Sequence, residues 1–211
     1  SPRIDIKQNP LYEDEHLAYL DTHYYGGIKK YQWVALPLAL HGVVVKKDGT
    51  TVTLNIGDKP GDPVFYISDL LIHLAADQMG KTAAKVIEGD SLNIIIGSEP
   101  KKDTDKDPVK TAILDILKEQ YSIDEEDFIS AELEAVPAGH ARDLGFDRSM
   151  IMGYGHDDRV CAYPSMAAVL NYEGTPEYTL AAVLTDKEEI GSVGATGMGA
   201  MYFENSMAEL I

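Results

Sequence analysis

An apolar run that stops abruptly at a knot of charges constrains this chain more than any other feature. Leu180-Ala181-Ala182-Val183-Leu184 has the texture of a buried strand; Thr185-Asp186-Lys187-Glu188-Glu189 ends it, and Ile190-Gly191-Ser192 turns the chain. Strands of open α/β sheets direct their carboxyl ends into the ligand crevice. Two adjacent carboxylates there can divide the work, one binding a metal and the other moving a proton. On a strand or tight turn neighbouring side chains point to opposite sides, so each can face its own task. An exposed acidic turn is the plain alternative, and the apolar strand before it and the glycines after it weigh against that. A second acidic knot, Gly155-His156-Asp157-Asp158-Arg159, opens a helix-like segment. Its plain reading is an N-capping Asp with an acid in the first turn. Taken with Glu188-Glu189 it points to a dinuclear metal site, in which one carboxylate bridges two metals that activate water and hold a carbonyl.

Composition limits the partners. The chain has 211 residues and a formal net charge of -17, from 35 acids against 18 Lys plus Arg. Such a balance disfavours nucleic acid and anionic membrane surfaces and suits metal cations or cationic groups. One cysteine, Cys161, excludes an intrachain disulfide and fits a reducing compartment, hence a cytoplasmic expectation. No apolar run approaches the ~20 residues of a membrane span. Ser1-Pro2-Arg3-Ile4-Asp5 carries neither an initiator Met nor a signal pattern, and Phe203 to Ile211 reads as a helix in mid-course, so the chain is expected to be cut at both ends.

The texture changes twice. Residues 1–34 read as short strands and turns, with Ile4 and Ile6 alternating and a tight loop at Tyr24-Tyr25-Gly26-Gly27. From about 35 hairpin signals follow closely. Leu36 to Val45 is a strand, Lys46-Lys47-Asp48-Gly49-Thr50 a turn, and Thr51 to Ile56 alternates again. Tyr66 to Ala75 is a short strand or a helix, which periodicity cannot decide. Asn93 to Ser98 is a buried strand, and 99–108 is a charged surface loop. Val109 to Gln120 has the helical spacing Ala112, Ile113, Ile116, Leu117. Asp124-Glu125-Glu126-Asp127 suits a helix N-terminus, and Ile129 to Val136 is a half-buried strand. The last part returns to α/β texture, with a helix after Arg159, a strand over Tyr178–Leu184, and Gly191, Gly194, Gly197 and Gly199 beyond the acids.

Other candidate chemistry is thin. None of the six histidines has the i, i+4 spacing of a helical zinc pair. His73, in an apolar stretch, is by default a core histidine. Cys161 has no nominated base, and the Gly-rich segment lacks the Gly-Lys-Ser/Thr ending of a phosphate loop.

Several motifs are nevertheless recognisable in order along the chain: Ser1-Pro2-Arg3-Ile4, Tyr25-Gly26-Gly27, Ile72-His73-Leu74, Ala141-Arg142-Asp143-Leu144-Gly145-Phe146-Asp147, Gly155-His156-Asp157-Asp158-Arg159-Val160-Cys161 and Asp186-Lys187-Glu188-Glu189-Ile190-Gly191-Ser192. With them the chain resembles the aspartyl aminopeptidase family of dinuclear zinc metallopeptidases. The resemblance implies an α/β fold, a zinc-peptidase-like catalytic domain (incomplete here) with an inserted β-rich oligomerisation domain. Residues 1–34 and 141–211 would be the two parts of the catalytic domain and 35–140 the insertion. It implies Asp157 as the metal-bridging carboxylate, Glu189 as a ligand of one metal and Glu188 as general base. His73 would reach a neighbouring subunit's active site, against the core-histidine alternative. Two zinc ions per site are implied, with cobalt or manganese as alternatives. The implied partners are a peptide substrate and further copies of the chain, as dimers assembling further. The chain departs from the family pattern near Trp33, where Val34-Ala35-Leu36-Pro37-Leu38 replaces an Asp-Arg. The family's His-x-Asp segment before Ser-Pro and its downstream acidic and His ligands have no counterpart, so the chain alone is expected to be inactive. A non-catalytic assembly fragment, self-associating through the inserted domain, is the alternative.

Overall fold

The computed structural model describes residues 2–24, 26–194 and 196–211, and of Ile190 the backbone alone. Ser1 and Tyr25, from the Ser-Pro and Tyr-Gly-Gly motifs, and Ala195 in the Gly-rich segment lie outside the described residues. The fold is mixed α/β, in two units: Arg3–His140, and Ala141–Ile211 with Pro2.

The alternating segments of the first unit become an antiparallel barrel. Its strands are β1 (Ile4–Asp14), β2 (Leu17–Tyr24), β3 (Pro37–Val45), β4 (Thr51–Ile56), β5 (Phe65–Tyr66), β6 (Ile94–Gly97) and β7 (Ala131–Pro137). The sheet runs β4-β3-β5-β6-β2-β1-β7, and an additional β3–β7 pairing closes all but β4 into a ring. Register sorts the side chains. Ile4, Ala135, Leu40 and Ile56 lie opposite one another across four strands and are all buried. One residue along, Asp5, Glu134, His41 and Asn55 form the parallel polar row. Arg3 reaches Glu134 at 3.0 Å, and His41 Nε2 lies 2.7 Å from Asp58 Oδ2, so polar contacts hold this row. At Gly42, φ is +136°, and a Cβ there would lie 2.0 Å from the Glu132 carbonyl oxygen. Only glycine lets β3 and β7 approach so closely.

The Lys46–Thr50 turn forms as expected, with Lys46 N–H donating to Thr50 O at 2.8 Å and Gly49 N–H to Lys46 O at 2.9 Å. The segment left open between strand and helix is neither: β5 stops at Tyr66, and a single-turn helix α1 (Ala76–Met79) starts only after a turn at Leu71–Leu74. The expected helix is α2 (Pro108–Tyr121), which buries Val109. Its N-cap residue Asp107 makes no side-chain cap; instead Glu13 of β1 accepts the Val109 and Lys110 N–H groups at 2.8 and 2.9 Å. These are orphan donors of a first helical turn, satisfied from another strand. Ser122, left-handed at φ 58°, ends the helix and turns Ile123 into the core. The acids at 124–127 form a capping box on a 3-10 turn.

Two expectations are corrected here. A separate domain was expected to start at 35, but β1 and β2 belong to the same sheet as β3 to β7. The cause is long-range pairing, β1 with β7 and β2 with β6, which local texture cannot reveal. The strand expected over Tyr178–Leu184, with its parallel sheet, is also not formed: these residues are irregular. A strand needs a hydrogen-bonded neighbour. Among the described residues the second unit offers only the hairpin β8 (Arg142–Leu144) with β9 (Met150–Met152), antiparallel, and an isolated parallel bridge Asp186–Gly197. The helices α3 (His156–Leu170) and α4 (Met201–Leu210) complete this unit, none of whose described large apolar side chains is buried. No helix among the described residues is long and apolar enough to cross a membrane.

Candidate metal centre

Both acidic knots lie in the second unit. The first sits where α3 begins, and the local chain explains why it is not ordinary helix. Asp157 is extended (φ -66°, ψ 133°) and Asp158 has φ 79°, ψ -43°. Asp158 thus occupies a left-handed region close to the strained γ-turn geometry, costly for any residue but glycine. Two hydrogen-bonding groups hold the distortion. The Asp158 N–H donates to Asp157 Oδ1 at 2.8 Å, and the Arg159 guanidinium donates to the Tyr154 and Gly155 carbonyls at 3.1 Å each. The expected N-capping geometry is therefore replaced by a kinked, exposed Asp157-Asp158 pair. Strain of this kind clusters at functional sites, and here it falls on the residue next to the nominated metal ligand. Arg159 was not nominated from sequence; its signal is a cation directly after the acidic pair.

The second knot is a tightly folded loop. Asp186 N–H donates to Thr196 O at 3.2 Å, Ser192 N–H to Lys187 O at 2.9 Å, and Gly199 N–H to Ser192 O at 3.0 Å. Glu188–Ile190 forms a 3-10 turn, in which successive residues step by about 120°. Glu188 and Glu189 are both exposed on it. The glycines were expected to let backbone approach a ligand. At Gly197 they admit the loop's own backbone instead: a Cβ there would meet Ser192 O at 2.3 Å.

His73 lies in the first unit, in the turn following β5. Leu74 N–H donates to Leu71 O at 2.9 Å. The core-histidine alternative does not hold, since His73 is exposed, flanked by Leu70, Leu71, Ile72 and Leu74 at 54–67% exposure.

The donor set does not close a zinc site. Asp157 and Glu189 supply oxygen donors that zinc accepts, but a tetrahedral zinc takes four ligands. Among the described residues no group of three or more His, Cys, Asp or Glu side chains gathers to hold a metal.

The profile of the family described as "Aminopeptidase I zinc metalloprotease (M18)" matches residues 1–211. "Probable M18 family aminopeptidase 1" of Clostridium acetobutylicum is 62% identical over all of this chain and 45% of its own length. The crystal structure of an M18-family aminopeptidase from Thermotoga maritima superposes with a TM-score of 0.90 at 48% identity, covering 100% of this chain and 46% of that one. That of aminopeptidase I from Clostridium acetobutylicum gives 0.84 at 57% identity, covering 100% and 46%. The chain spans about half the length of these relatives. The match along its whole length shows that it belongs to the M18 aminopeptidase I zinc metalloprotease family, which includes the aspartyl aminopeptidases.

Proposed function

We propose that this chain is part of a metal-dependent aminopeptidase that removes N-terminal residues from peptides. The observation that carries the proposal is the family match over every residue of the chain, acidic knots included. In this reading Asp157, as the bridging carboxylate, and Glu189 would hold zinc, with cobalt or manganese able to substitute. Glu188 is the general base: its carboxylate takes a proton from the attacking water and passes it to the departing amine nitrogen. Bound zinc would polarise the scissile carbonyl, but the ligands of this chain alone do not complete its site. The remaining donors, and the cover for the apolar side chains exposed on the second unit, come from the other half of the relatives' length.

The barrel unit is the oligomerisation module in this reading, with copies of the chain pairing into dimers that assemble further. His73, presented at an exposed apolar turn, is then offered to a second copy. A reducing, cytoplasmic setting fits the single Cys161. The alternative, in which this chain is a non-catalytic assembly fragment that self-associates through the inserted domain, has no observation in its favour.

The test uses the longer protein that carries this chain together with the rest of its relatives' length. Glu188→Gln should lower peptide turnover by about 10²–10⁴-fold with metal content retained, because an amide cannot take the proton. Glu189→Gln should instead lower metal content. A Glu188→Gln protein turning over at the unmodified rate refutes the base assignment.

A further inference from the structure

α2 meets the barrel closely at its N-terminal end and leaves a cavity under the rest of its length. Val109, Ile113, Leu117 and Tyr121 repeat every four residues and so share one face of the helix. Val109 is buried, and at Gly97 of β6 a Cβ would stand 2.6 Å from Ile113 Cδ1, so a missing side chain is what seats the helix there. From Ile113 onward the helix and the mouth of the barrel enclose about 210 Å³. Leu40, Leu54, Ile56 and Phe128, all buried, form the floor of this cavity. Val64 and Ile116, 52% and 44% exposed, stand at its opening. Of the side chains that line it only Gln120 and Tyr121 carry a polar atom, and none carries a charge.

We propose that this cavity is a binding site for a neutral aromatic molecule of phenol to indole size. The proposal goes beyond the aminopeptidase reading and does not depend on it. Barrel mouths are among the places where ligand pockets recur. Water is a poor occupant, because an ordered water needs about two to four polar partners. Among the described residues no buried side-chain nitrogen or oxygen lacks a hydrogen-bond partner, so no orphaned group calls for one.

Size, charge and shape select the ligand class. An apolar cavity of about 150 Å³ lined by leucine, isoleucine and phenylalanine holds benzene, and drug-sized ligands occupy about 300 Å³ or more. The 210 Å³ here lies between the two. A carboxylate or an amine would be buried without a counter-ion, which is costly. Phe65, Tyr121 and Phe128 contribute three rings to the lining, and ring edges and faces complement a further ring better than an alkyl chain. A single N–H or O–H on the ligand can meet the Gln120 amide or the Tyr121 hydroxyl. Additional polar groups would be buried unpaired.

The experiment titrates phenol, indole and benzoate into the longer protein that carries this chain, followed by calorimetry. Phenol and indole should bind with a Kd of about 1 mM or tighter, and benzoate about tenfold more weakly or worse. Leu117→Phe and Ile116→Trp both fill the cavity, and each should weaken indole binding by about tenfold or more with unchanged circular dichroism. Ile116 is already partly exposed, so its larger replacement can be housed even where Leu117→Phe prevents folding. No saturable binding of phenol or indole up to about 10 mM overturns the site. Binding that survives in the folded filled variants lies elsewhere and overturns it equally. Benzoate binding as tightly as phenol overturns the neutral ligand class. Filled variants that change their sedimentation in the absence of ligand would show that a second copy covers the opening, and that result also overturns the proposal.

Discussion

The substitution Gly42→Ala isolates the contact on which closure of the barrel depends. A Cβ at Gly42 would lie 2.0 Å from the Glu132 carbonyl oxygen and 2.9 Å from Leu133 Cα, both backbone atoms of β7 that cannot swing aside. The strands must separate by an ångström or more. Holding alanine at positive φ costs about 1–3 kcal/mol. Weakening two neighbouring β3–β7 hydrogen bonds adds about 1 kcal/mol each. The expected loss is therefore about 3–5 kcal/mol, a large share of an ordinary domain's stability. Gly49→Ala is the control. Gly49 also has positive φ, +85°, but a Cβ there meets nothing within 4 Å, so only the strain remains. Trp33 is the single tryptophan, is 6% exposed and lies in the barrel unit, so urea unfolding followed by its fluorescence reports on this unit. With a slope of about 2 kcal/mol/M, Gly42→Ala should lower the midpoint by about 1.5–2.5 M and Gly49→Ala by about 0.5–1.5 M. Equal shifts for the two variants would show that strand approach at Gly42 is not what closes the ring.

Glu13→Ala should destabilise the barrel unit by about 1 kcal/mol by uncapping α2, and Glu13→Gln by less, since its amide oxygen still accepts; equal losses would remove the capping argument. The Lys59 and then the Gly57 backbone N–H groups hold the Asp62 carboxyl below its ordinary value of 3.8. A lowered native value stabilises above the unfolded one and is lost as pH falls through it, so the advantage of Asp62 over Asp62→Asn should fade below about pH 3.8 in acid titrations of stability. Amide exchange should be slow in β3 and β7, which carry ladder bonds and buried side chains, and near the unprotected rate over 178–184, which carries neither. Finally, the 211-residue chain incubated with zinc, cobalt or manganese should not hydrolyse peptides beginning with Asp, Glu, Lys or Leu; turnover that vanishes in Glu188→Gln would show that its ligands suffice after all.

Local pattern was enough to locate most elements of the barrel unit. Alternation marks β1, β3, β4 and β7, Asp48-Gly49 marks the hairpin turn, and the apolar spacing of Ala112, Ile113, Ile116 and Leu117 marks α2, because period and turn chemistry are short-range properties. The two acidic knots and the family they belong to were likewise legible in residue order alone. Closure of the ring was not. It depends on β1 meeting β7 and β3 meeting β7, pairings between residues far apart in the chain, and on the room Gly42 leaves for them. For the same reason Glu13 could not be read as the cap of a helix nearly a hundred residues away. Tyr178–Leu184 shows the converse limit: its apolar run has strand character, but strand structure is a property of two chain segments, and the second unit holds no partner for it among its described residues. At Asp157-Asp158 the composition announced an acidic helix start, while the backbone adopts a strained turn held by the Arg159 guanidinium. Side-chain type is written residue by residue, whereas pairing, burial and strain exist only between residues that folding has brought together.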